Sequence, residues 1–92
     1  MKTVLITGAS RGIGRALAKK FLDSGYFVLG TSTTGRIDIG QENTKAFQLD
    51  LSKPESIERC ARDINEFGKK IDVLINNAGI VVEEEVGEPT IV

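Results

Sequence analysis

A chain of 92 residues holds one domain at most. Its 40% hydrophobic and 27% charged residues and formal net charge of −1 are ordinary for a soluble globular protein and argue against nucleic acid or an anionic membrane as partner. One cysteine, Cys60, and no histidine exclude an intramolecular disulfide and a Cys/His metal site.

The first strand is expected over Lys2–Thr7, apolar on consecutive residues as in a parallel strand covered on both faces. It starts so close to Met1 that no room is expected for a signal or transit peptide. No apolar run approaches a membrane span, and the expected setting is reducing and cytoplasmic. Strand one runs into Thr7-Gly8-Ala9-Ser10-Arg11-Gly12-Ile13-Gly14. Strand, glycine turn and helix together form the context in which a phosphate-binding loop makes physical sense. A helix N-terminus offers unpaired N–H groups and partial positive charge, and glycine lets the backbone come close. The spacing is Gly-x-x-x-Gly-x-Gly, and the plainer alternative is a glycine-rich turn without a ligand.

A helix is expected over Gly12–Ser24, with Ile13, Ala16, Leu17 and Phe21 as its buried stripe and Gly25 as a left-handed cap. Strand two is Tyr26–Thr31. The stretch from Thr33 to Asn43 holds Gly35, Gly40 and alternating Ile37 and Ile39, so the usual crossover helix must be short or missing there. Strand three is about Lys45–Leu49 and leads into Asp50. Ser52-Lys53-Pro54-Glu55 reads as a capping box, opening a helix whose stripe is Ile57, Cys60, Ala61, Ile64 and Phe67 and which Gly68 ends. Cys60 is then a partly buried, inert thiol. Strand four, Ile71–Asn76, is apolar on successive residues and reads as interior.

This order implies an α/β fold, a doubly wound parallel sheet with strand order 3-2-1-4, which is the first half of a Rossmann-type fold. Residues 1–80 form the expected half-domain, and residues 81–92 are a tail without a helical stripe. Strand order reverses between strands one and four. The glycine loop and Asn76-Asn77-Ala78-Gly79 should therefore meet at one crevice. The same order leaves strand four, with Val73, Leu74 and Ile75, at an open edge. That edge suggests oligomers or aggregation, unless residues 80–92 fold back and pair with it.

The glycine motif, Asp50 after strand three and Asn76-Asn77-Ala78-Gly79 after strand four together resemble the short-chain dehydrogenase/reductase family, over about residues 2–80. Within it the chain is most similar to 3-oxoacyl-[acyl-carrier-protein] reductases. The resemblance implies an oxidoreductase that moves hydride between a nicotinamide cofactor and a carbonyl or alcohol. It implies that Gly8, Gly12 and Gly14 shape the pyrophosphate site and that Ser10, Arg11 and Ile13 line it. Asp50 would contact the adenine with Leu51 beside it, and Asn77, Ala78 and Gly79 would contact ribose and brace the sheet. Plainer roles exist: Asp50 as a helix-capping group, Asn76 and Asn77 as turn formers, Arg11 as a solvated cation.

The expected cofactor is NADP. No acid ends strand two, where an NAD-selective site places one, and the first acid after it is Asp38. The hydroxyls of Thr31, Ser32 and Thr33 could donate to a 2′-phosphate. Arg11 could supply charge, with Arg36 as a second candidate. The resemblance also implies a catalytic serine and a Tyr-x-x-x-Lys pair, all beyond the Asn-Asn-Ala-Gly region. The only tyrosine, Tyr26, has Gly30 four residues on, so no catalytic residue is assigned. The chain is then the cofactor-binding part of such an enzyme, catalytically incomplete, partnered by a missing C-terminal half or by its own copies. The alternative is a stand-alone, non-catalytic nucleotide-binding or interaction module.

Overall fold

The computed structural model describes residues 1–40, 42–78, 81–83 and 89–91, the last two segments for their backbone alone. The main elements are β1 (Thr3–Thr7), α1 (Gly12–Asp23), β2 (Phe27–Ser32), β3 (Thr44–Gln48), α2 (Pro54–Phe67) and β4 (Val73–Asn76). The four strands form one parallel sheet in the order β3-β2-β1-β4. Leu5 pairs with Leu29 on one side and Leu74 on the other, and Thr31 pairs with Phe47. The order agrees with the sequence expectation, since right-handed crossovers leave little other choice.

Consecutive apolar residues in β1 and β2 serve two cores. Val4, Ile6 and Val28 face α1, where they pack with Ala9, Ala18 and Ile39. Leu5, Leu29 and Phe47 face α2 and pack around Cys60. Ile6 and Leu29 are fully buried, each contributing about 1.5–3 kcal/mol relative to an exposed side chain. Burial pushes the Cys60 thiol pKa up, with Asp63 adding to the effect, which keeps the group protonated.

Among the described residues no helix joins β2 to β3. In its place Ile39 is buried in the α1-side core and Ile37 packs against that core. Ile37 Cδ1 and the Ala9 Cβ sit 2.8 and 2.9 Å from where a Cβ on Gly30 would lie, so position 30 has no space for a side chain. Gly25 and Gly68 follow α1 and α2 with φ of 87° and 80°, the left-handed geometry expected of them.

Three expectations fail. Of the expected helix stripes, Ile13 and Ala16 of α1 and Ile57, Ala61 and Phe67 of α2 are exposed, because each helix covers the sheet with a narrower face. Ser52 does not cap α2. The N-cap is Lys53, with no side-chain capping bond. The Ser52 hydroxyl instead donates to Asp50 Oδ1 at 2.6 Å. The helix begins one residue later than the capping box requires, so Ser52 lies before the N-cap and its hydroxyl is left to the Asp50 carboxylate. Strand four is not interior either. Leu74 is 64% exposed, because α2 lies over the other three strands and leaves this flank of β4 bare. The tail forms β5 (Val81–Glu83) and β6 (Pro89–Ile91), which pair antiparallel as a separate two-stranded sheet. Among the described residues it does not pair with the β4 edge. No helix of the described residues is long and apolar enough to cross a membrane.

Candidate dinucleotide site

In a parallel sheet all strands end on the same side, so the loops after β1, β2, β3 and β4 gather at one rim. Thr7, the last residue of β1, ties two of these loops together. Its hydroxyl donates to Asn76 Oδ1 at 3.1 Å. The same oxygen accepts the N–H of Asn77 at 3.0 Å and of Ala78 at 2.9 Å. The Asn77 side-chain amide donates in turn to the Gly8 carbonyl at 3.1 Å. The strand-one and strand-four motifs are thus joined by direct bonds. Thr7 had no role assigned from sequence. Its place as the first residue of the glycine motif was the signal available.

The glycine loop is equally bound to β2. Gly8 N–H donates to Thr31 Oγ1 at 3.1 Å, and Ala9 N–H donates to the Thr31 carbonyl at 2.8 Å. A methyl on Gly14 would overlap the Gly8 carbonyl and reach within 2.6 Å of the Asn77 amide nitrogen. Gly14 therefore lets the first turn of α1 rest directly on the loop backbone. Gly12 has nothing near its missing Cβ, and its φ of 60° is what requires glycine.

Between these loops lies a cleft of about 730 Å³. Gly8, Ser10, Arg11, Gly12, Thr31, Ser32, Thr33, Asp50, Leu51, Asn77 and Ala78, all named from the sequence, line it together with Thr34, Leu49 and Ser52. Ile13 does not line it and is 74% exposed in the first turn of α1. Gly14 lies behind the loop. Gly79 is outside the described residues. A second hollow of about 350 Å³, beside Gly68–Ile71, is remote from this rim and gathers no comparable loops.

Arg11 occupies the N-cap of α1, exposed and without a capping bond. The two β2 hydroxyls are less available than the sequence suggested. Thr31 is 1% exposed and its oxygen holds Gly8. Ser32 is 5% exposed; its oxygen accepts Arg36 N–H at 2.8 Å and donates to the Arg36 carbonyl at 2.7 Å. Both were expected to face a phosphate, and backbone N–H and C=O groups claim them first because a buried polar group must be satisfied locally. Thr33 and Thr34 are exposed and line the cleft, with Thr34 Oγ1 3.5 Å from Ser32 Oγ. Asp50 accepts from the Ser52 hydroxyl and the Ser52 N–H, which hold its carboxyl below the usual carboxylate range. Asp50 N–H donates to Ser56 Oγ at 2.9 Å, which fixes the turn into α2.

The cleft has the size of a cofactor pocket. It also has a glycine-shaped floor, a helix N-terminus and a free cation. These are the features a dinucleotide needs, so fold and cleft define a Rossmann-type dinucleotide-binding half. Family comparison is specific. Residues 2–90 match the model of short chain dehydrogenase. The chain belongs to the short-chain dehydrogenase family, whose members are oxidoreductases using nicotinamide dinucleotides. It is 45% identical over 84 residues to a 3-oxoacyl-[acyl-carrier-protein] reductase, FabG, of Vibrio harveyi, covering 86% of this chain and 34% of that one. It is 38% identical over 91 residues to the 2-dehydro-3-deoxy-D-gluconate 5-dehydrogenase of Bacillus subtilis, covering 91% and 35%. Among solved structures, 4-hydroxyisoleucine dehydrogenase complexed with NADH superposes with a TM-score of 0.74 at 32% identity, covering 94% of this chain and 37% of that one. Ligand-free aldohexose dehydrogenase of Thermoplasma acidophilum gives 0.67 at 35%, covering 92% and 32%. The chain therefore spans about a third of the length of the relatives it matches.

Proposed function

We propose that this chain is the cofactor-binding part of an NADP-dependent short-chain oxidoreductase, acting on a carbonyl or alcohol. The observation that carries the reading is the cleft at the rim of β1–β4. There, an exposed Arg11 stands at the N-terminus of α1, opposite a β2 end that carries hydroxyls and no acid. A carboxylate at that end would hold the ribose hydroxyls of NAD and repel a 2′-phosphate. One fold neighbour was solved with NADH, so membership of the family leaves the choice of cofactor to the chain's own residues.

When bound, the nicotinamide supplies or accepts hydride. The groups of this chain hold the dinucleotide: glycine-loop N–H groups and the α1 N-terminus at pyrophosphate, Arg11 at the 2′-phosphate, Asp50 at adenine, and Asn77 and Ala78 at ribose. Tyr26 offers no proton to a substrate, for it packs edge-on against Phe21 at 4.9 Å on the α1 side, away from the cleft. The reading therefore has the chain bind cofactor without turnover. The open β4 edge belongs to the same picture as an interface, filled by further chain or by a second copy.

Calorimetric titration with NADP⁺ and NAD⁺ tests the proposal. NADP⁺ should bind more tightly, and Arg11→Ala should remove about ten- to a hundredfold of that affinity while leaving NAD⁺ nearly unchanged. Equal affinity of the unmodified chain for both would overturn the NADP assignment. A cofactor-dependent carbonyl reduction by the purified chain would overturn the catalytic one.

A further inference from the structure

The turn after β3 sets a carboxylate in a fixed pose on the wall of the cleft. Lys53 N–H donates to the Asp50 carbonyl at 3.0 Å, and Asp50 N–H donates to Ser56 Oγ at 2.9 Å, so the backbone at Asp50 is held on both sides. The side chain is held as well. Asp50 Oδ1 accepts the Ser52 hydroxyl at 2.6 Å and the Ser52 N–H at 3.0 Å. Among the described residues Asp50 Oδ2 carries no bond, and neither does the Leu51 N–H beside it. Asp50, Leu51 and Ser52 all line the cleft. The two bonds from Ser52 also keep the carboxyl ionised, and an ionised carboxylate can only accept hydrogen bonds. The turn therefore offers a free acceptor next to a free donor, with the acceptor gripped through its other oxygen.

We infer that Ser52 is a positioning residue for discrimination of the cofactor's base. By gripping Asp50 Oδ1 it aims Oδ2 at the 6-amino group of adenine, while the Leu51 N–H meets the neighbouring ring nitrogen. The inference rests on the placing of a dinucleotide in this cleft, and not on the choice between NAD and NADP. Adenine presents a donor at position 6 and an acceptor at N1. Hypoxanthine presents the reverse, an oxygen at position 6 and an N–H at N1. A carboxylate free to turn could follow the donor from one position to the other and so accept either base. One gripped through Oδ1 cannot turn. Hypoxanthine then sets its oxygen against Oδ2 and its N–H against the Leu51 N–H, and specificity arises from these two repulsions as much as from the adenine bonds.

Calorimetry with NADP⁺, NAD⁺ and the hypoxanthine analogue of each tests this on the unmodified chain, Ser52→Ala and Ser52→Thr, with circular dichroism checking that each is folded. The quantity read is the ratio of affinities for the adenine and hypoxanthine forms. The unmodified chain should favour adenine by about tenfold or more. Ser52 is exposed, and its alanine variant keeps the N–H bond to Asp50. In Ser52→Ala the ratio should fall about three- to tenfold. Ser52→Thr retains the hydroxyl and should restore it. A Ser52 that only supports the turn would weaken both bases alike and leave the ratio unchanged, and that result overturns the inference. So does a threonine variant as indiscriminate as the alanine one. An unmodified chain that binds NADP⁺ or NAD⁺ without distinguishing the bases overturns this inference alone. A chain that binds none of the four overturns the placing of the dinucleotide and this inference together.

Discussion

Thr7→Val is the sharpest perturbation of the site that leaves the strand intact. Valine has the shape of threonine and remains β-branched, so strand propensity and packing change little. What is lost is one oxygen that makes three bonds, to Asn76 Oδ1, Asn77 N–H and Ala78 N–H. A typical intramolecular hydrogen bond contributes about 0.5–1.5 kcal/mol net, giving about 1.5–4.5 for three. Two discounts apply. Ala78 N–H keeps a second acceptor, the Thr7 carbonyl at 3.1 Å. Asn76 and Asn77 are exposed and can turn to water. About 1–2 kcal/mol is then the expected loss. At a urea slope of about 1–2 kcal/mol per molar, the unfolding midpoint falls by about 1 M. Dinucleotide affinity falls as well, because the Asn77 bond to Gly8 depends on the same anchor. Thr7→Ser, which keeps the oxygen, should recover most of both losses. Urea titration followed by circular dichroism provides the measurement. A Thr7→Val chain that unfolds at the unmodified chain's midpoint, or a serine variant as weak as the valine one, would refute the tie between the two motifs.

Gly14→Ala gains helix propensity of about 1 kcal/mol, yet the overlap with the Gly8 backbone should cost about 1–3 kcal/mol and displace the loop; a thermal melt no lower than that of the unmodified chain, with intact cofactor binding, would contradict this. The folded Asp50 carboxyl titrates below its unfolded value, so its contribution is complete above the ordinary carboxylate range and disappears as pH falls through the folded value. Urea midpoints measured between about pH 2 and 6 should therefore drop more steeply for the unmodified chain than for Asp50→Asn, and parallel profiles would count against the Ser52 bonds. Leu74→Lys should shift sedimentation toward monomer without changing the circular dichroism, since Leu74 is 64% exposed on an edge strand whose outer side pairs with no other described strand; unchanged self-association would place the contact elsewhere.

The sheet was legible in the sequence because each element carries its own local signal. Strands covered on both faces must be apolar on successive residues, and Val4-Leu5-Ile6 and Val28-Leu29 are. Glycines that end helices or open loops stand where the backbone takes positive φ, and Gly8, Gly12, Gly25 and Gly68 all do. Strand order followed from the handedness of crossovers rather than from any residue. That the crossover helix is short or missing was equally legible, since Thr33 to Asn43 has no helical stripe, while the burial of Ile39 in its place was not.

The amino-acid sequence by itself determined which groups reach the rim: the glycine loop, Arg11, the hydroxyls after β2, Asp50 and Asn77. Only the tertiary structure decided what each oxygen does there. A serine or threonine hydroxyl has one proton and will bond whichever partner the fold brings nearest, and those partners lie far away in sequence or across a turn. So Ser52 turns from the helix to Asp50, Thr31 holds Gly8, Ser32 clasps Arg36, and Thr7 joins β1 to the end of β4. The exposure of Leu74 has the same origin, because an apolar residue is buried only if a neighbouring element covers it, and α2 stops short of β4.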